Sequence, residues 1–197
     1  IRVFFQLGIR MMHVTYQRRN MLGDGCAETA NGGLSDFGRQ AIAEMNRQGV
    51  LVDIAHSGWQ TSLEAAKVSA KPVVASHTTA AGLHHHIRSK PDEVLKALAD
   101  SGGYAGICCI SQFLGGKCDI NAFLDHIDYV VKKAIREQGI TQIVEIACGL
   151  SPRGVRFCQE FPDLQYIEAD LPAMLAHKQR LLTEHGLLSK RHRVVGI

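Results

Sequence analysis

The sequence predicts an α/β fold, a partial TIM-type (β/α) barrel followed by a partial Rossmann-like βαβ segment. Three observations carry that prediction. Apolar runs of strand length alternate with segments of helical period along the whole chain, the pattern of a parallel sheet with helical crossovers. Two of these runs, residues 50–56 and 72–77, each close on a histidine and are separated by one helix-length segment. A later stretch, residues 142–169, reads strand, Gly-containing turn, helix, strand. Parallel α/β sheets place their sites at the carboxyl ends of strands, so His56 and His77 face one mouth, and paired imidazoles suit Zn²⁺.

Each element has a local reason. Residues 8–14 read as a strand that runs into a polar loop, 16–34, rich in Gly and Asn. Ser35 caps a helix whose apolar side is Phe37, Ala41, Ile42 and Met45, and Gly49 stops it. The strand to His56 follows. Ser57 caps the next helix, to about Ser69, and Pro72 opens the strand to His77. Pro91 suits a first helical position, with Asp92 and Glu93 in the favourable first turn. Gly102 and Gly103 end that helix, and residues 104–110 form another apolar strand. Ile120, Phe123, Leu124, Ile127, Val130, Val131, Ala134 and Ile135 recur at helical spacing up to Gly139. Strand 142–147, helix 152–160, strand 164–169, helix 172–185 and a last strand from Arg193 complete the chain.

Composition narrows the class. The 197 residues suit one ordinary domain or two small ones, and 46% hydrophobic with 21% charged residues is a globular balance. A net charge of +3 is too small to imply nucleic acid, and the run Lys190-Arg191-His192-Arg193 reads as a solvated helix end. No apolar stretch approaches the roughly 20 residues a membrane helix needs. No signal peptide opens the chain, which fits a cytoplasmic protein, and the start at Ile1 without Met is expected of a fragment. The six cysteines form no CxxC pair, which fits free, mostly buried thiols in a reducing compartment. Cys108 and Cys109, adjacent on a strand, would face opposite sides.

The first chemical constellation is His13, His56 and His77, each at a strand end, with Arg88 in the loop that leads to the Pro91 helix. Neutral imidazoles bind zinc, a third histidine could hold a polarised carbonyl, and a guanidinium could clamp a carboxylate. The stretches "GLSDFGRQAIAEMNRQGVLVDIAHSG", "KPVVASHTTA" and "IRSKPDEVLKAL" make residues 1–133 resemble the renal-type (membrane) dipeptidases, metallopeptidase family M19. The resemblance implies an α/β barrel with a binuclear zinc site that cleaves dipeptides. It makes His56 and His77 ligands of one zinc, His13 a catalytic and substrate-binding histidine, and Arg88 the substrate-carboxylate anchor. The family's His-x-Asp pair and bridging glutamate would lie upstream of Ile1, and its catalytic aspartate on a last strand that this chain replaces. At most one zinc is therefore expected here. His126-Ile127-Asp128 is a His-x-Asp in spelling only, because Ile127 belongs to the apolar side of its helix. The run His84-His85-His86 reads as a solvated loop.

The second constellation begins near residue 134. An apolar strand ends in a Gly-containing turn at Gly149, Pro152 opens a helix, and the next strand ends at Glu168-Ala169-Asp170. An acidic residue at that tip is placed to accept ribose hydroxyls. "EIACGLSPRG" and "YIEADLPAML" make residues 134–197 resemble class I S-adenosylmethionine-dependent methyltransferases, in particular the leucine carboxyl methyltransferases. The resemblance implies that Glu145, Ala147 and Gly149 line the methionine side of the cofactor and that Asp170, or Glu168, holds the ribose. No full GxGxxG is present. The seam falls in the long helix, near residues 132–136.

The leading expectation is a zinc-dependent dipeptidase that lacks part of its metal site, as a fragment or a fusion. The alternatives are an S-adenosylmethionine-dependent methyltransferase carried by the second segment, and an inactive fragment. The expected partner is a small dipeptide, with no nucleic acid and no membrane segment. Four strands of an eight-stranded barrel would leave two open edges, which favours homo-oligomer contacts.

Overall fold

The computed structural model describes residues 1–116 and 119–197. Cys118, one of the six thiols, lies outside the described residues. In chain order the elements are α1 (Arg2–Gln6), β1 (Met11–His13), α2 (Asp36–Gln48), β2 (Leu51–Asp53), α3 (Trp59–Val68), β3 (Val73–Thr78) and α4 (Asp92–Asp100). There follow β4 (Ala105–Ile107), a 3₁₀ turn at Ser111–Phe113, α5 (Ile120–Gln138), β5 (Gln142–Ile146), α6 (Arg153–Glu160), β6 (Gln165–Asp170), α7 (Pro172–Glu184) and β7 (His192–Gly196). The chain divides into two compact units, Ile1–Lys132 and Lys133–Ile197.

In the first unit four strands form one all-parallel sheet in the order β1-β2-β3-β4. Consecutive strands are neighbours, as successive strand-helix units require. One face packs beneath the helices: Val52 and Val73 are opposite each other in register and share a core with Ile42 and Met45 of α2 and Val94 and Leu98 of α4. Each such side chain contributes about 1.5–3 kcal/mol by leaving water. α2 starts where Ser35 Oγ accepts the Gly38 N–H at 2.9 Å, and it ends at Gly49 in the left-handed region, φ 77°.

Several expectations need correction. α1 precedes the first strand, where no helix was expected. β2 stops at Asp53, so His56 lies three residues beyond the ladder rather than at its end. Ser57 does not cap α3. Gly58 is the cap residue, and the Ser57 hydroxyl instead accepts a hydrogen bond from Thr15 Oγ1 at 3.0 Å. Pro91 is the cap residue of α4 and not its first helical position. β4 is only Ala105–Ile107, so Cys108 and Cys109 lie past its end. In α5 the His-x-Asp departs from the apolar pattern: His126 and Asp128 are buried, while Ile127 is half-buried like most of the apolar side. His126 Nδ1 accepts the Ala80 N–H at 3.1 Å, a bond that ties the helix to the chain after β3.

β3 carries one irregularity that matters. Ala75 pairs with Ala105 and Thr78 pairs with Ile107, so three steps on β3 match two on β4. This is one extra residue in β3, the count of a β-bulge.

The second unit holds a three-stranded parallel sheet in the order β5-β6-β7. Its ladder is regular from Gln142↔Gln165 to Ile146↔Ala169 and from Tyr166↔His192 to Asp170↔Gly196. Phe157 of α6 packs edge-on to Tyr166 of β6, ring centroids 6.0 Å apart, and both are buried. Among the described residues no helix is long and apolar enough to cross a membrane. Of the described cysteines, Cys26, Cys148 and Cys158 are buried and free, Cys108 is half-buried and Cys109 exposed.

Candidate metal centre

Three imidazoles meet at the carboxyl ends of β1, β2 and β3. Ring centroids of His13 and His56 are 5.4 Å apart, of His13 and His77 5.8 Å, and of His56 and His77 5.0 Å. The Nε2 atoms of His56 and His77 face each other at 3.0 Å. Two nitrogens on one tetrahedral zinc, each at about 2.05 Å, span about 3.3 Å. The pair is therefore set close to the bite of a single cation.

The bulge explains how His77 reaches this mouth. Val73 and Ala75 lie in the core beneath the helices. Strict alternation along β3 would send His77 to that same face. The extra residue between Ala75 and Thr78 releases it from that parity. His13 needs no such device, because it pairs with Asp53 one step beyond the core pair Met12↔Val52.

The electrostatics keep the two facing imidazoles neutral. Burial, reinforced by Arg88 and by the neighbouring histidines, pushes His56 down to about 4. His77 is lowered by burial first and then by Arg88. Neutral rings present lone pairs to a metal. Tyr16 stacks on His56 with ring centroids 4.2 Å apart, and Ser76 Oγ lies 2.8 Å from His77 Nδ1. His56 Nδ1 is buried without a hydrogen-bond partner. Two donors fit a zinc ion, yet among the described residues no group of three or more His, Cys, Asp or Glu side chains is arranged to hold one.

Arg88 stands behind the pair. It is buried, and its Nε and Nη2 donate to Ala55 O at 3.4 and 3.3 Å while Nη2 also reaches His77 O at 3.4 Å. Its guanidinium carbon lies 5.2 Å from the Phe113 ring centroid. The triple-histidine loop braces it and is not simply solvated. His86 Nδ1 accepts the Arg88 N–H at 3.1 Å, and the His86 ring packs on Phe113 at 4.6 Å.

Three residues at this site escaped the reading of the sequence. Tyr16 gave no signal beyond being aromatic in a polar loop. Lys90 is fully buried, and its Nζ donates to Ser57 O at 2.6 Å and Ser62 Oγ at 2.9 Å. Asp53 is buried next to His13, with His13 Nδ1 at 3.3 Å from Oδ2. Its signal was legible, since it is the only charged residue in the apolar run 50–55.

In the second unit the loop after β5 meets the tip of β6. Gly149 N–H donates to Asp170 Oδ2 at 2.7 Å, and Ala147, at φ 57°, donates to Ala169 O at 2.8 Å. Asp170 is lowered by the N–H groups of Gly149 and Leu171. Glu145 is taken up by an ion pair with Arg153 and by Tyr166 Oη at 2.8 Å from Oε2. Glu168 cannot serve as a ribose acceptor. It is fully buried, with Lys178 Nζ at 2.6 Å and His192 Nε2 at 2.9 Å from its Oε2.

A parallel α/β sheet with paired imidazoles at its mouth is a scaffold of the metallopeptidase type. A family model described as membrane dipeptidase (peptidase family M19) matches residues 1–164, and the chain belongs to that family. The match runs past residue 133, through β5 and α6, and the comparisons lend no support to a methyltransferase segment. An amidohydrolase from Pseudomonas aeruginosa is 43% identical with a TM-score of 0.62, over 66% of this chain and 40% of that one. Dipeptidase AC, a metallo peptidase of family M19, is 25% identical with a TM-score of 0.61, over 66% of this chain and 41% of that one. A metallo peptidase from Rhodobacter sphaeroides, liganded with a phosphinate mimic of the dipeptide L-Ala-D-Ala, shares the fold at 24% identity and a TM-score of 0.61, over 66% of this chain and 41% of that one. The chain thus spans about two fifths of the length of these structures.

Proposed function

We propose that this chain carries part of the active site of a zinc-dependent dipeptidase. One observation supports this above the others: His56 and His77 present their Nε2 atoms 3.0 Å apart as neutral donors. When bound, zinc would polarise a peptide carbonyl and supply an activated water. His56 and His77 would hold it. His13, on the neighbouring strand, would meet the carbonyl oxygen as negative charge develops there. Arg88 would anchor the terminal carboxylate of the dipeptide in bidentate fashion. At most one ion is proposed, because the remaining ligands implied by the family resemblance are not among these residues. The four-stranded sheet would be half of an eight-stranded barrel, and its open edges β1 and β4 would favour association of copies.

Zinc content after metal loading, measured alongside dipeptide hydrolysis, tests this reading. The parent should retain close to one equivalent and release amino acids from dipeptides, and the His56→Ala/His77→Ala double variant should do neither. A folded parent that retains no zinc would overturn it.

A second reading rests on the Gly149–Asp170 bond and on the strand order β5-β6-β7, which matches one half of a nucleotide-binding sheet. Ala147, Gly149 and Asp170 would then meet S-adenosylmethionine, with Glu145 beside them. Calorimetry at millimolar S-adenosylmethionine decides it, and an absence of heat would end it.

A further inference from the structure

We infer that Asp53 is a positioning residue for His13, and that it fixes the proton of that imidazole on Nδ1. The inference deepens the dipeptidase reading and rests on it for its catalytic meaning. Asp53 is 1% exposed. Its Oδ1 accepts two backbone N–H groups, Ala55 at 2.9 Å and Ser76 at 3.1 Å, so the carboxylate cannot rotate without breaking both. Its Oδ2 is buried without a formed hydrogen bond. A buried carboxylate oxygen in that condition is costly and takes the nearest donor. That donor is His13 Nδ1, 3.3 Å away and still oblique. Catalytic hydrogen bonds of this kind commonly tighten only when a ligand is bound.

The sheet brings the two residues together. His13 and Asp53 are register partners across β1 and β2, so both side chains rise from the same face. With Nδ1–H turned to Asp53, Nε2 on the opposite edge is an acceptor in the neutral ring. It meets a developing oxyanion beside His56 and His77 only after taking up a proton, which makes the ring a cation that the Asp53 carboxylate would stabilise. A histidine whose second nitrogen is held by a carboxylate has its tautomer and its ring angle set by that group.

The Asp53→Asn variant inverts the hydrogen-bond logic. Ala55 and Ser76 still require an acceptor, so the amide oxygen takes the place of Oδ1. The amide NH₂ then faces His13 Nδ1, which must become the acceptor and shift its proton to Nε2. Long-range ¹H–¹⁵N correlation of the imidazole nitrogens reads this directly, with His13 assigned by loss of its signals in His13→Gln. Above pH 8 the parent should carry a proton on Nδ1 of His13, and Asp53→Asn with an unchanged circular dichroism spectrum should carry it on Nε2. A parent with the proton on Nε2, or with averaged nitrogens, overturns the inference even if the variant does not fold. So does a folded variant whose tautomer is unchanged. The readout needs no turnover: a chain that cleaves no dipeptide would remove the peptidase reading and leave the pairing intact.

Discussion

Lys90 buries its ammonium against the carbonyl of Ser57, Nζ to O 2.6 Å, with Ser62 Oγ as the other acceptor. Both acceptors are neutral, and among the described residues no carboxylate is bonded to Nζ. Burial therefore pushes Lys90 down to about 7.

That depression makes stability depend on pH. An unfolded lysine titrates near about 10.4. Between about 7 and 10.4 the unfolded chain holds a proton that the folded chain has released, so stability rises with pH across that window. It falls as pH drops back through the window, and below about 7 this group adds no further change. The full effect is at most about 5 kcal/mol, from a pKa difference of about 3.4 at about 1.36 kcal/mol per pK unit. Urea unfolding of the first unit from pH 7 to 10 should show the rise, and Lys90→Met should flatten it.

Arg88 should control affinity for a free carboxylate. In a preparation that hydrolyses dipeptides, Arg88→Lys should raise KM by about 10- to 100-fold, the worth of a charge-assisted bidentate contact. The same dipeptides with an amidated carboxyl end should lose little between parent and variant. Equal losses on both substrates would mean that Arg88 acts only through the carbonyls of Ala55 and His77.

The second unit should depend on one buried carboxylate. Burial would raise the Glu168 carboxyl, but His192 and Lys178 outweigh it and hold the group below the usual carboxylate range. Glu168→Gln leaves the buried Lys178 ammonium without its counter-charge and should cost about 3–5 kcal/mol. Replacing Glu168 and Lys178 together by Leu and Met should cost less than Glu168→Gln alone. Urea midpoints of the variants provide the comparison.

Gly154 admits no side chain. A Cβ there would meet His192 Nε2 at 2.6 Å and Glu168 Oε1 at 2.7 Å. Gly154→Ala should therefore destabilise by about 1–3 kcal/mol, even though alanine is the better helix former in α6. A stability gain would mean that these side chains are free to retreat.

Much of this was legible in the residues themselves. Ser35 and Gly49 bound α2 as their chemistry demands, and the alternation of strand and helix is that of the parallel sheets. The pairing of His56 with His77 followed from two apolar runs ending in the same residue type. Other features were not legible. Ser57 looks like a helix cap, but its hydroxyl is claimed by Thr15, 42 positions away. Ile127 lies on the apolar side by spacing, yet its neighbour His126 is the more deeply buried residue and accepts the Ala80 N–H, 46 positions away. Glu168 and Asp170 read alike as acidic strand tips, and only the fold shows that one is sealed beneath Lys178 and His192 while the other reaches the loop at Gly149. In each case a distant partner decides, and local pattern carries no trace of it.

The additional residue in β3 has a consequence for anyone who would transplant this site. Copying the two imidazoles onto an uninterrupted ribbon, at identical spacing, would bury the second ring under the helices with Val73 and Ala75. The proposed grip on an ion is thus written partly in arithmetic, as an odd number of steps where the neighbouring strand takes an even one. Deleting a single amino acid there would undo it while leaving every donor in place.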